Sequence, residues 1–302
     1  MLLDTAALYF RAFYGVPDTV RAPDGQPVNA VRGLLDIIAK LVTEFEPAEL
    51  VACWDDDWRP QWRVALIPSY KAHRVAQETP AGSVEEVPDL LSPQVPVIRE
   101  VLGLLGIPVV GAPDHEADDV IGTLASTSGI PVDVVTGDRD LFQLVDDARA
   151  VRVIYTGRGM SNLEVLTDDT LRAKYGIAPA QYADFAAMRG DASDGLPGVA
   201  GVGEKTAVTL LTTYGSLDGI IAAAADPDSG MAPPARAKIL AASDYLAVAP
   251  KVVEVVRDLA LPEFDARIRP VTAAHEAKLE ALSATWGLGA SLERARTALA
   301  SR

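Results

Sequence analysis

The chain has 302 residues, 49% of them hydrophobic and 23% charged, which suits one large soluble core or a large domain with a smaller attachment. A single cysteine, Cys53, excludes an intramolecular disulfide and points to a reducing, cytoplasmic compartment. No apolar run reaches membrane-spanning length and the opening "MLLDTAALYFRAFYG" has no basic leader, so neither a membrane partner nor a signal peptide is expected.

Short apolar runs predict strands at 1–3, 49–54, 107–110, 131–136 and 151–155. Apolar residues at helical spacing predict helices over 27–45, 94–105 and 117–128. The stretch 78–93, rich in Pro, Ser, Gly and acid, reads as a mobile loop. Strands alternating with helices imply an α/β fold with a mostly parallel central sheet and flanking helices over residues 1–178. From about residue 179 the pattern is helical, giving a region 179–265 and a helical tail 266–302.

The acids follow the strands. Asp4, Asp55, the group Glu116, Asp118 and Asp119, and the pair Asp138 and Asp140 all come just after apolar runs. In an open α/β sheet those positions share one rim, where ligands bind. So many carboxylates cannot stay ionised side by side without cations. Oxygen donors without a His or Cys cluster favour Mg²⁺ or Mn²⁺. A single loop Asp is more often a solvated turn residue, and Asp56 and Asp57 are read that way. Cys53, within an apolar strand, is read as structural.

A second constellation, "GDASDGLPGVAGVGEKTA" at 190–207, adds Asp191 and Asp194 and then a turn with Gly198, Gly201 and Gly203 that opens a helix. Such a turn lets backbone N–H groups approach a phosphate, with Lys205 adding a point charge. The net charge of −15 argues against a polyanion partner on average. Basic charge is nonetheless localised: the run 58–77 holds Arg59, Arg63, Lys71 and Arg74 with no acid.

These motifs resemble the flap endonuclease family, in particular the 5′ nuclease domain at the front of bacterial DNA polymerase I. The similar stretches are "LLD" at 2–4, "WD" at 54–55, "WRVALIPSYKAHR" at 62–74, "HEADD" at 115–119, "TGDRDLFQLV" at 136–145 and the glycine segment. The segment "YLAVAPKVVEVVRDLAL", 245–261, looks like the family's late helix. No polymerase-like sequence follows, so a free-standing nuclease or isolated domain is expected.

The resemblance implies a PIN-like nuclease core carrying a helical arch over 58–98, and a C-terminal helix–hairpin–helix. It assigns one metal to Asp4, Asp55, Glu116 and Asp118, with Asp119 beside them, and a second to Asp138, Asp140, Asp191 and Asp194. Gly198 to Thr206 would bind the duplex backbone, in this family often with K⁺ on hairpin carbonyls. Arg59 and Arg63 would begin the arch over the single strand, and Lys71 and Arg74 would face the scissile phosphate. Apart from the resemblance, Tyr70, with Phe13 and Tyr14, reads either as a stacking partner for bases or as plain core. The implied partner is branched or nicked DNA with a 5′ single strand, cut by a monomer.

Three features depart from the family pattern: Thr5 follows the first aspartate where Gly is common, Pro68 should end a helix within the arch, and only three residues precede Asp4. Two ions about 4 Å apart can activate water, neutralise phosphate and stabilise the leaving oxyanion. No His base is then needed, and His115 and His73 are read as orienting or surface residues. The rival readings are a metal-dependent phosphatase on a similar sheet and a non-catalytic DNA-junction binder. The phosphatase leaves the basic run and the hairpin without a purpose; the binder should lack carboxylates that are present.

Overall fold

The computed structural model describes residues 1–79 and 82–302. Its sheet is centred on very short, buried strands. β1 (Leu2–Asp4) is fully buried and leads directly into α1 (Thr5–Gly15), and α2 (Asn29–Phe45) crosses back to β2 (Val51–Cys53). Short as it is, β1 pairs in parallel on both sides, Leu2 facing Val51 of one neighbour and Val134 of the other. Successive side chains alternate across the pleat, so Leu2, Val134 and Val153 enter one buried cluster and Leu3, Val135 and Ile154 the opposite one.

After β2 come α3 (Gln61–Leu66), a two-stranded antiparallel hairpin of β3 (Val75–Thr79) and β4 (Gly82–Glu85), and α4 (Gln94–Leu104). The core then continues through β5 (Val109–Val110), α5 (Ala117–Thr127), β6 (Val132–Thr136), β7 (Val151–Tyr155), β8 (Glu164–Leu166) and α6 (Asp168–Tyr175). The sheet order is β5-β2-β1-β6-β7-β8, parallel except for the antiparallel edge strand β8. The α/β expectation thus holds, with α1, α6 and β8 as elements that the periodicity did not reveal. α2 explains its own burial: Val31, Leu34, Leu35, Ile38, Leu41 and Val42 recur at helical spacing and pack beneath the sheet.

The expected arch is not a helical one. α3 stops two residues before Pro68, which lacks an N–H for a continuing helix, and a single 3₁₀ turn, Ala72–Arg74, follows. Val75, Thr79 and Val84 then favour extended chain, so the segment read as a mobile loop from 78 starts inside the β3–β4 hairpin.

Beyond the core, α7 (Tyr182–Arg189) and α8 (Glu204–Tyr214) flank the glycine segment. The stretch read as one late helix is two short ones, Ser243–Leu246 and Ala249–Val253, followed by extended chain. That extended chain lies along α5, where the Thr123 hydroxyl donates to the Val256 carbonyl at 3.2 Å. The tail forms two helices, Ala273–Trp286 and Gly289–Ala300; the second packs on α2 and ion-pairs Arg294 with Asp36 at 2.7 Å. Among the described residues no single helix is long and apolar enough to cross a membrane.

Candidate active site

The carboxyl ends of β1, β2 and β6 open on a cavity of about 300 Å³ whose walls carry Asp4, Asp55, Glu116, Asp118 and Asp138. Each acid is placed by its own element. Asp4 ends β1 and caps α1, accepting from the Ala7 N–H at 3.2 Å and from the Thr136 hydroxyl of β6 at 2.7 Å. Asp55 follows β2 and accepts from the Ala117 N–H at 2.7 Å, at the start of α5. Glu116 caps α5, and Asp118 lies in its first turn. Asp138 accepts from the Asp140 N–H at 2.8 Å within the turn after β6.

The electrostatics of these groups are strained. Burial, with Asp55 and Asp138 nearby, raises the Asp4 carboxyl to about 7, against the hydrogen bond from Thr136. Burial raises Asp118 well above its ordinary value, and Asp4 and Asp138 add to it. Asp140 is raised likewise, by burial and then by Asp138, Asp194 and Asp191. Burial lifts Asp194 to about 6 against the lowering effect of Lys71. Asp140 Oδ1 is buried without any hydrogen-bond partner. A set of oxygen donors pushed toward neutrality, one of them orphaned, fits a hard divalent cation, whose charge would restore ionisation.

Glu116 is held differently. Its carboxylate accepts from Arg63 at 2.5 Å, from the Tyr70 hydroxyl at 2.6 Å and from the Lys71 ammonium. Protein donors therefore occupy the cradle, and among the described residues no three His, Cys or acidic side chains stand together in ligating geometry. Asp119 does not face the cavity. It is fully buried and spent on Arg63, at 2.7 and 2.9 Å, and on the Val256 N–H at 2.9 Å. Asp191 is held by the Ser193 N–H at 2.8 Å and by Arg189 at 3.1 Å, apart from the cavity wall.

The basic run divides in two. Arg59 and Arg63 are 5% and 2% exposed, so neither offers its charge to a DNA backbone. Arg59 binds the Tyr70 carbonyl, Glu78 and Ser83, bracing the hairpin. Tyr70 is 3% exposed and points at Glu116, so it has no face free for stacking, whereas Tyr14 is 73% exposed. Lys71 and Arg74 do line the cavity, and Arg74 also binds the Ser193 carbonyl at 2.6 Å and Asp194 at 3.2 Å. His115 is half-buried with its ring against Trp62, and His73 is exposed; neither lines the cavity.

The glycine segment also divides. Gly198 packs backbone to backbone: a Cβ there would come within 2.6 Å of the Gly190 nitrogen, so this glycine closes the turn. Gly201 is exposed with φ +73°, a conformation that favours glycine, and its carbonyl accepts from the Lys238 ammonium at 2.7 Å. Gly203 opens α8 with free space around it, and Lys205 and Thr206 follow in the first turn, exposed and half-buried.

Fold and site together define an α/β core with a carboxylate-lined cavity joined to a helical region, and sequence comparison says which family this is. The family model for the 5′-3′ exonuclease N-terminal resolvase-like domain matches residues 1–176, and that for the 5′-3′ exonuclease C-terminal SAM fold matches 177–274. The chain belongs to the 5′-3′ exonuclease family and is a 5′ nuclease. It is 60% identical to a 5′-3′ exonuclease of Streptomyces coelicolor over 99% of both chains, and 50% identical to one of Mycobacterium tuberculosis over 99% of this chain and 97% of that one. A DNA polymerase I of Mycobacterium bovis is 43% identical over 73% of this chain and 24% of its own length. A structure of bacteriophage T5 flap endonuclease with DNA and metal ions shares the fold, at TM-score 0.61 and 16% identity over 99% of this chain and 97% of that one.

Proposed function

We propose that this 5′ nuclease hydrolyses DNA phosphodiesters at 5′ flaps and 5′ ends with two divalent ions, Mg²⁺ or Mn²⁺, held in the carboxylate cradle. The observation that carries the reading is the convergence of Asp4, Asp55, Glu116, Asp118 and Asp138 on one cavity that Lys71 and Arg74 also line. The first ion would lie with Asp4, Asp55, Glu116 and Asp118, and the second with Asp138, Asp140, Asp194 and, through water, Asp191. Bound there, the ions would ionise a water and neutralise the phosphate without a His base.

The chain's own residues do the rest. Arg74, 36% exposed at the side chain and paired with Asp194, orients the phosphate from the cavity lining. Lys71 lines the cavity and pairs with Glu116; released from that pair, its ammonium would offset charge on the scissile phosphate. Gly201, Gly203, Lys205 and Thr206 hold the duplex backbone through N–H groups and the α8 N-terminus. K⁺ would bind hairpin carbonyls other than that of Gly201, which Lys238 already occupies. Replication or repair intermediates carrying a 5′ single strand are the substrates of this geometry, taken by a monomer.

Cleavage of a 5′-labelled flap, with products mapped with and without Mg²⁺, tests the reading. Metal-dependent cuts at the flap junction are expected. Hydrolysis of a phosphomonoester in preference to the flap would overturn it, as would metal-independent binding without cleavage.

A further inference from the structure

Arg63 lies in the basic run yet meets no solvent. Its five N–H donors all find acceptors inside the protein. Nε donates to the Val252 carbonyl at 3.1 Å. One terminal nitrogen donates to Glu116 at 2.5 Å and to Asp119 at 2.9 Å. The other donates to Asp119 at 2.7 Å and to the Glu254 carbonyl at 3.4 Å. The Trp62 ring covers the guanidinium, with Cζ 4.4 Å from the ring centre. A planar fork of this kind fixes direction as well as charge, which an ammonium does not.

Those acceptors belong to two bodies. Glu116 and Asp119 start α5, and Glu116 sets one wall of the cradle. Val252 and Glu254 end the helical region that carries the glycine hairpin. The same junction is sewn further along α5. Asp119 accepts from the Val256 N–H at 2.9 Å, Thr123 accepts from the Leu259 N–H at 3.2 Å, and Gln143 exchanges hydrogen bonds with Val253 and Val255. Gly122 permits the close approach, since a Cβ there would fall 2.6 Å from the Val256 carbonyl oxygen. Of the junction residues just named, Arg63 also touches a cradle carboxylate. With Tyr70 it holds Glu116 Oε2, leaving Oε1 for Lys71 on the cavity side.

We propose that Arg63 is a positioning residue that couples the seat of the C-terminal helical region to the cradle: it orients Glu116 for a divalent ion and ties that orientation to the segment 252–256. This rests on the metal cradle proposed above. It predicts that Arg63 acts on metal affinity and not through contact with DNA.

The test is Mn²⁺ titration of the free protein, followed by electron paramagnetic resonance, with flap affinity in Ca²⁺ measured alongside. Arg63→Gln alone strands the buried Asp119 carboxylate and can unfold the chain. The double variant Arg63→Gln, Asp119→Asn removes both charges and keeps hydrogen-bonding groups in place, and Arg63→Lys retains the charge without the fork. The double variant is expected to keep its fold by circular dichroism, to bind Mn²⁺ about 10- to 100-fold more weakly, and to bind flap DNA within about threefold of the parent. Arg63→Lys should also fall at least about tenfold in Mn²⁺ affinity, because charge alone does not orient Glu116. Unchanged Mn²⁺ affinity in a folded double variant overturns the coupling while leaving the cradle intact. Absence of Mn²⁺ binding by the parent protein would instead remove the cradle reading itself. Should the double variant unfold, Arg63→Lys decides: parental Mn²⁺ affinity there sinks the proposal.

Discussion

The carboxylate cradle and the glycine hairpin almost touch in sequence, Asp194 and Gly198 being four residues apart, yet they are built on opposite terms. The cradle gathers like charges at the buried end of a sheet and holds them with Thr136, Ala117, Lys71 and Arg63. The hairpin buries no charge: its outer glycines and Lys205 stand in solvent and present backbone. A site for chemistry must hold repelling groups in a dry place, at a cost to the fold. A site for duplex backbone needs only amides, a helix end and room.

The contrast breaks most sharply at Asp118. Asp118→Asn should cut single-turnover flap cleavage by at least about a hundredfold while raising the melting temperature of the metal-free protein, since it removes one of several repelling buried acids. Near-parental turnover would show that Asp118 holds no ion. Lys71→Ala should also slow single-turnover cleavage by about a hundredfold. It should at the same time tighten Mn²⁺ binding, because the competing ammonium is gone. If the rate falls but Mn²⁺ affinity stays fixed, Lys71 does not compete for the cradle.

A pH effect separates the two regions without mutation. Asp4 and Asp194 are raised in the fold to about 7 and about 6, so the stability they allow is complete only below about pH 4 and is lost as pH rises from there through those values. Above about pH 5, acids with ordinary values are already ionised and add no slope. Metal-free protein should therefore melt progressively lower between about pH 5 and pH 7, by on the order of 5 °C, with Mg²⁺ flattening the trend. A flat profile without metal would mean the cradle acids find counter-charge inside the protein.

Effects at the hairpin should be smaller and confined to binding. Gly201→Val strains a position with φ +73° and crowds Lys238, and should weaken duplex affinity about tenfold with little change in the bound-state rate. Lys205→Ala should lower affinity only a few-fold and make the salt dependence shallower by about one phosphate contact. An unchanged slope assigns Lys205 to plain surface.

The sequence exposed the cradle because acids that end short apolar strands converge whatever their spacing along the chain. It did not show which acids are free. Asp119 looks like Asp118 in "HEADD", and only the return of Val256 and the approach of Arg63 reveal it as a structural partner. Arg59 and Arg63 were misleading for the same reason. A stretch without acid reads as an exposed basic face, but their partners come from Glu78, Asp119 and the carbonyls of Val252 and Glu254, some nearly 200 residues away. The hairpin in place of an arch was legible only in part: Pro68 announced the end of α3, whereas β3 and β4 draw their pairing from each other. α1 escaped because β1 runs into it with no intervening turn, Asp4 serving as strand end and cap at once.

The helix Gly289–Ala300 closes over α2, and the Arg294–Asp36 pair spans 258 positions of chain. On a ribosome, α2 is complete long before its cover exists. At ordinary elongation speeds the wait is roughly 10–50 s, far longer than helices and loops take to form. Through that interval the side of α2 that meets Leu292, Ala295 and Leu299 is an apolar strip without a lid. The nascent nuclease core thus carries a sticky apolar face until the helix Gly289–Ala300 has been made.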